Sequence, residues 1–297
     1  MDELLTEEAA LLKAKNKIRW GDILGSALLF ASAYLFLYIL YDLATAVTAA
    51  HFGLKPTLYF DTIDFANRAG WYPRCVKITF SIGIPVMLIT GIGFYFLYLW
   101  FKTSSILLRL SLLWLSLLSF VILSQRLIGA AFATEFQFSN LDSLGLEIGI
   151  VEAYYYMKTP AKAAMAMVGI LVSLAVGFLY AKPFLQTATS VYQIDIPVYR
   201  KRFLWHHLIA PSLIGAMLIT MFVFPKNTVP NFMSFAVLPI SLLSIWFFAT
   251  YSAQLIRKQS FSRFWFVFPV IIFAVTILVI KTVLKTGIFI PNLGLTF

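Results

Sequence analysis

One carboxylate interrupts an apolar run and is the first candidate for chemistry in this chain. Asp42 lies in the stretch LYDLATAV, with Tyr41 beside it and Thr45 three residues later. A charged side chain at the centre of a bilayer costs about 2.5–3.5 kcal/mol on insertion scales unless it faces a partner or water. Residues i and i+3 share a helix face, so we expect Asp42 to face the protein interior and to be hydrogen-bonded to Thr45, to a polar group of another span or to trapped water.

A second group of acids lies in the long connection between residues 126 and 162. If this connection re-enters the membrane, its carboxylates would join Asp42 in a buried polar site suited to a proton path or a cation. If it stays outside the membrane, the same carboxylates are solvated. The acids are Glu135, Asp142, Glu147 and Glu152. The candidate buried polar site comprises Tyr41, Asp42, Thr45, Asp142 and Glu147.

The sequence around Asp42 resembles the zinc-binding helix of the site-2 protease family of intramembrane metallopeptidases. Residues 41–55, YDLATAVTAAHFGLK, align without a gap with a family helix that reads roughly HELGHALAAKLLGIK. Gly83 and Pro85 resemble the next element of the family, and Asn-Leu-Asp-Ser at 140–143 is a looser third match. The resemblance covers about residues 23–150 and implies a protease-like core, with an extended stretch over 56–65.

The residues that would hold zinc in such a core are absent. A catalytic zinc of this type needs two His at i and i+4, with a Glu beside the first as general base. Here these positions are Tyr41, Thr45 and Asp42, and neutral hydroxyls bind zinc weakly. The resemblance therefore implies a core with no catalytic residues, no metal and no cofactor. The alternative is that the Ala-rich stretch is a packing stripe that lets another helix approach closely.

The composition is that of a multi-pass membrane protein. Of the 297 residues, 61% are hydrophobic and only 12% are charged, where a soluble domain carries roughly a quarter charged residues. These values exclude a soluble enzyme, a disordered chain and a nucleic-acid-binding domain. The single cysteine, Cys75, excludes an internal disulfide.

Seven stretches are apolar and long enough to cross a bilayer, which takes about 20 residues. The predicted fold class is therefore an all-α polytopic bundle, with an eighth span if the 126–162 connection enters the membrane. Residues 1–20 read as an amphipathic surface segment and 21–297 as one transmembrane domain, whose C-terminal helices occupy 163–284. The predicted spans are about 23–49, 78–101, 106–125, 163–181, 207–224, 229–256 and 264–284.

Basic residues dominate the C-terminal third, because no acid follows Asp195. Basic residues beside spans set orientation or contact lipid headgroups. The predicted interfacial anchors are Arg200, Lys201, Arg202, Arg257 and Lys258. A slight excess of basic residues on one side favours an N-terminus inside the cell. The expected location is a bacterial inner membrane.

These observations lead to two hypotheses for the function. The first is a non-catalytic scaffold or accessory subunit of a membrane protein complex, whose partners are the lipid bilayer and other membrane subunits, without nucleic acid or an identified small-molecule substrate. It rests on the missing zinc ligands and on the 29 Phe residues spread over the spans. The second is a proton- or ion-coupled transporter or conducting subunit that uses Asp42 and the acids of 126–162.

Overall fold

The chain folds into an all-α helical bundle, as the sequence predicts. The computed structural model describes residues 20–60, 62–101, 105–132, 150–151, 154–188, 196–222, 237–251 and 266–291. Within these residues, six helices are long and apolar enough to cross a membrane, and a shorter apolar helix covers Leu238–Thr250. The predicted surface segment and nearly all of the 133–153 connection lie outside the described residues, so the eighth span stays a prediction.

The helices extend beyond the predicted apolar spans at several ends. A helix continues as long as its backbone hydrogen bonds can form, and polar residues at the membrane surface do not end it. Two π-helical turns, at Trp205–Ile209 and Ile280–Leu284, continue the sixth and ninth helices. The helices are α1 Trp20–His51, α2 Pro73–Ser81, α3 Gly83–Trp100, α4 Ile106–Phe132, α5 Thr159–Leu185, α6 Pro197–Leu204, α7 Ala210–Phe222, α8 Leu238–Tyr251 and α9 Val267–Val279.

A small antiparallel sheet follows α1 and also includes a segment from near the C-terminus. Strands β1 (Pro56–Leu58) and β2 (Ile63–Phe65) pair with each other, which confirms the predicted extended stretch over 56–65. Strand β3 (Ile288–Phe289) pairs with the other edge of β1, giving the order β2-β1-β3. This long-range pairing was not predicted.

Contacts at the two ends of α1 show that α1 and α4 run parallel. Trp114 Nε1 donates to Ser26 Oγ at 3.1 Å near the start of both helices. Further along both helices, the Arg126 guanidinium lies over the ring of Tyr41. The bundle therefore has an end where α1 and α4 begin and an end where they finish beside the sheet.

Helices α3 and α5 run antiparallel to α4 on its other sides. Ser116 of α4 donates to the carbonyl of Gly91 and is hydrogen-bonded to Tyr180. Ser124, two turns later on α4, contacts Gly169, which is earlier on α5. The C-terminal ends of α3 and α5 therefore meet the start of α4. We call this the Trp100 end, and the opposite one the sheet end.

Small residues let the helices approach closely. A Cβ at Gly177 of α5 would overlap Ser244 of α8, and a Cβ at Gly215 of α7 would overlap Phe30 of α1. Close backbone approach at small residues is how helices associate in lipid, where the hydrophobic effect between helices is weak. The side chains that fill the remaining core are mostly Leu, Ile and aromatic residues.

Candidate functional site

Asp42 faces the interior of the protein, as predicted. Its side chain is 4% exposed, and its neighbours Tyr41 and Thr45 are completely buried. The Thr45 hydroxyl donates to the main-chain carbonyl of Tyr41 at 3.3 Å. The Thr45 proton is therefore used within α1. Thr45 was one of the three partners that the sequence suggested for Asp42, and it does not donate to the Asp42 carboxylate.

A buried arginine lies over the same face of α1. Arg126 of α4 is 3% exposed. Its Cζ lies 4.5 Å from the ring centroid of Tyr41 and 5.7 Å from that of Tyr38. Tyr38, Tyr41 and Asp42 occupy positions i, i+3 and i+4, which share one helix face. The structure therefore places a guanidinium over the helix face that carries the buried carboxylate.

Tyr41 also joins the two segments that carry the site-2 protease resemblance. The ring of Tyr41 packs directly on Gly83, where a Cβ would overlap its atoms. Gly83 begins α3 just after the break between α2 and α3. The tyrosine at the position of the first expected zinc ligand thus occupies the space between α1 and the start of α3.

The histidine of α1 is too distant to share a ligand with Asp42. His51 lies nine residues further along the helix, a rise of roughly 13 Å. Within the described residues, no group of three or more His, Cys, Asp and Glu side chains lies close enough together to hold a metal ion. The described part of the site is a carboxylate, a guanidinium and tyrosine rings enclosed among helices. Such an arrangement can fix helix positions and balance charge.

Part of the predicted site lies outside the described residues. Asp142 and Glu147 belong to this part, as do Glu135 and Glu152. Their predicted contribution to a polar site with Asp42 therefore stays a prediction.

The predicted basic anchors behave differently from one another. Lys201 and Arg202 are exposed. Arg200 is half-buried, and its Nη1 donates to the carbonyls of Thr250 at 2.8 Å and Ala249 at 3.4 Å. Arg200 therefore binds main-chain carbonyls of α8, a contact that was not predicted. Arg257 and Lys258 lie outside the described residues.

No role was predicted for Arg126, although its position in the sequence indicates that it is buried. Arg126 and Arg109 are charges inside the long apolar helix α4. The rule that drew attention to Asp42 applies to them as well, because a charge within a span must face the protein interior or water. Both are buried in the structure.

Comparisons with known proteins add no relative. No protein family, curated protein or solved structure matches the chain. The resemblance to site-2 proteases therefore stays a prediction, and a role for the site is inferred from its geometry.

Proposed function

We propose that this protein is a non-catalytic scaffold or accessory subunit of a membrane protein complex. The observation that carries the proposal is the enclosure of Tyr41, Asp42 and Thr45, all buried, beneath the equally buried Arg126. We infer that the Asp42 carboxylate and the Arg126 guanidinium, on facing sides of α1 and α4, help to fix the register of these two helices. In this proposal the protease-like helix keeps its shape and uses its polar residues for packing.

The outer helices offer surface for other subunits. Most of the apolar stretch is exposed in α3, α5 and α9. Large side chains such as Phe96, Phe178 and Leu278 lie on these exposed faces. In the proposal, part of this apolar surface contacts neighbouring membrane subunits and the rest contacts lipid.

Two substitutions at Asp42 separate this proposal from ion transport. Asp42→Asn keeps the size of the side chain and an acceptor oxygen, so a structural role predicts normal assembly and normal cellular function. Asp42→Leu removes both oxygens, and we expect a loss of roughly 1–3 kcal/mol in the free energy of unfolding, because a polar partner is left unsatisfied. The measurements are the size of the tagged protein on native gels after mild solubilisation and its unfolding in mixed micelles.

Two outcomes contradict the proposal. If Asp42→Asn abolished function while fold and native-gel size stayed normal, Asp42 would carry protons or ions. A matching loss of proton flux in proteoliposomes would establish that alternative. A purified monomer that performs the whole cellular role after reconstitution by itself would also exclude an accessory subunit.

We further propose that the chain resides in the bacterial inner membrane with its N-terminus inside. The helix directions place Lys201 at the Trp100 end, with the start of α1, and Lys158 at the sheet end. Lys201→Cys should then be protected from a membrane-impermeant maleimide in intact spheroplasts, while Lys158→Cys should react. The native Cys75 is fully buried, which keeps background labelling low. The reverse pattern would overturn the orientation.

A further inference from the structure

A second polar cluster lies at the Trp100 end of the bundle, away from Asp42. Arg109 of α4 is 4% exposed. Its Nη2 donates to the Tyr98 hydroxyl of α3 at 2.8 Å, and that hydroxyl donates to Gln186 Oε1 at 3.2 Å. One chain of hydrogen bonds therefore connects α4, α3 and the residue that ends α5.

The charge of Arg109 is poorly compensated by the described residues. Its guanidinium contacts Tyr98 through the hydrogen bond and through the ring, with Cζ 5.0 Å from the ring centroid. Its buried Nε has no acceptor among the described residues. A buried cation without an anion pays a desolvation cost that a tyrosine hydroxyl and ring offset only in part. An anion bound close to this cluster would balance part of this charge.

A cavity of about 650 Å³ lies beside the cluster, between α3, α5 and α8. Its polar lining comes from Tyr95, Tyr98, Gln186 and the exposed Lys182, and none of its lining residues is acidic. Phe178 and Phe248 line its apolar part. Because Phe178 is 70% exposed on the outer face of a membrane-spanning helix, this part of the cavity faces the acyl chains of the bilayer.

We propose that this cavity binds an anionic phospholipid. The headgroup phosphate accepts hydrogen bonds from Lys182 and from the amide nitrogen of Gln186. Arg109, behind the wall of the cavity, orients Tyr98 and adds positive potential. The acyl chains lie along Phe178 and Phe248. The continuous apolar wall favours a lipid over free phosphate, which would gain nothing from it. This inference is independent of the proposed function.

Binding of defined lipids to the purified full chain tests the proposal. The detergent-solubilised protein is titrated with phosphatidylglycerol, with phosphatidylcholine of the same acyl chains, and with inorganic phosphate, and bound lipid is counted by native mass spectrometry. We expect one phosphatidylglycerol to remain bound at concentrations where phosphatidylcholine does not. Inorganic phosphate at millimolar concentration should not displace it. Lys182→Gln should weaken phosphatidylglycerol binding roughly tenfold, the typical loss for one charge-assisted hydrogen bond.

Matched variants make the result specific to this cavity. Lys158→Gln removes another exposed positive charge, at the sheet end and outside the lining of the cavity, and should leave binding unchanged. Tyr98→Phe removes the hydroxyl that links Arg109 to Gln186, keeps the ring, and should weaken binding severalfold. Equal losses with Lys182→Gln and Lys158→Gln would overturn the proposal, because they would indicate general attraction to basic residues anywhere on the surface. Equal binding of the two lipids, or displacement by inorganic phosphate, would overturn it as well.

Discussion

Tyr41 is a residue of α1 that packs against two other helices. Its ring contacts Gly83 on α3 and the guanidinium of Arg126 on α4. A tyrosine of this size fits only because residue 83 has no side chain. The contact therefore couples the identity of residue 41 to that of residue 83, although the two are far apart in sequence.

Gly83→Ala tests this coupling. The added methyl group would overlap the Tyr41 ring, so α1 and α3 must separate or the ring must leave its position. We expect a loss of about 1–3 kcal/mol in the free energy of unfolding, the usual cost of overpacking a core. Thermal or detergent unfolding of the purified protein measures it.

Gly93→Ala is the matched control on the same helix. Nothing lies within 4 Å of a Cβ at Gly93, which is exposed. Alanine is a better helix former than glycine, so this change should be neutral or stabilising by up to about 1 kcal/mol. Equal stability of the Gly83 and Gly93 variants would mean that Tyr41 is not packed as described.

At the scale of the element, the break between α2 and α3 has a local cause. The sequence predicted one span starting at residue 78, and the structure has a helix from Pro73 to Ser81 followed by another from Gly83. Pro85 has no N–H to donate to the carbonyl of Ser81, so a continuous helix would lose this bond. Proline is tolerated in a first helical turn, and this is where the break at Ile82 places it.

One side chain joins α6 to α8. Arg200 of α6 donates to the main-chain carbonyls of Ala249 and Thr250 of α8. Arg200→Gln should weaken this turn of α8 by about 1 kcal/mol, the typical net worth of a hydrogen bond. Hydrogen–deuterium exchange should then be faster for the amides near Tyr251.

Lys201→Gln is the control for this element. Lys201 is the next residue on the same helix and is exposed. If Arg200 served only as a headgroup anchor, the two variants would affect α8 exchange equally. A selective effect of Arg200→Gln identifies it as a link between α6 and α8.

At the scale of the whole molecule, the sheet joins the first helix to the last. Thr57 of β1 is paired with Phe289 of β3, and Gly287 enters β3 with a φ of 83°, a backbone conformation suited to glycine. The pairing closes the bundle at the sheet end, with α1 contacting α9 as well.

A disulfide cross-link tests this closure. In a Cys75→Ser background, Thr57→Cys combined with Phe289→Cys should form an intramolecular disulfide on mild oxidation, because directly opposed residues of antiparallel strands have adjacent Cβ atoms. Thr57→Cys with Ile288→Cys should react more slowly, since neighbouring side chains of a strand point to opposite faces. Equal rates, or cross-links only between chains, would contradict the register.

The sequence by itself determined the class of the protein and the burial of Asp42. Both follow from the cost of placing polar groups in hydrocarbon, which depends on composition and on the local apolar run. The same rule, applied to α4, is enough to predict that Arg109 and Arg126 are buried.

Only the tertiary structure decided what these buried groups contact. Which helix faces Asp42, which glycine receives Tyr41, and which strand pairs with β1 all depend on segments tens to hundreds of residues apart. Helix packing in a membrane is set by the fit of small and large side chains, and many pairings satisfy a uniformly apolar sequence equally well. The cavity beside Arg109 has the same origin, because its walls come from three helices that are brought together only in the folded bundle.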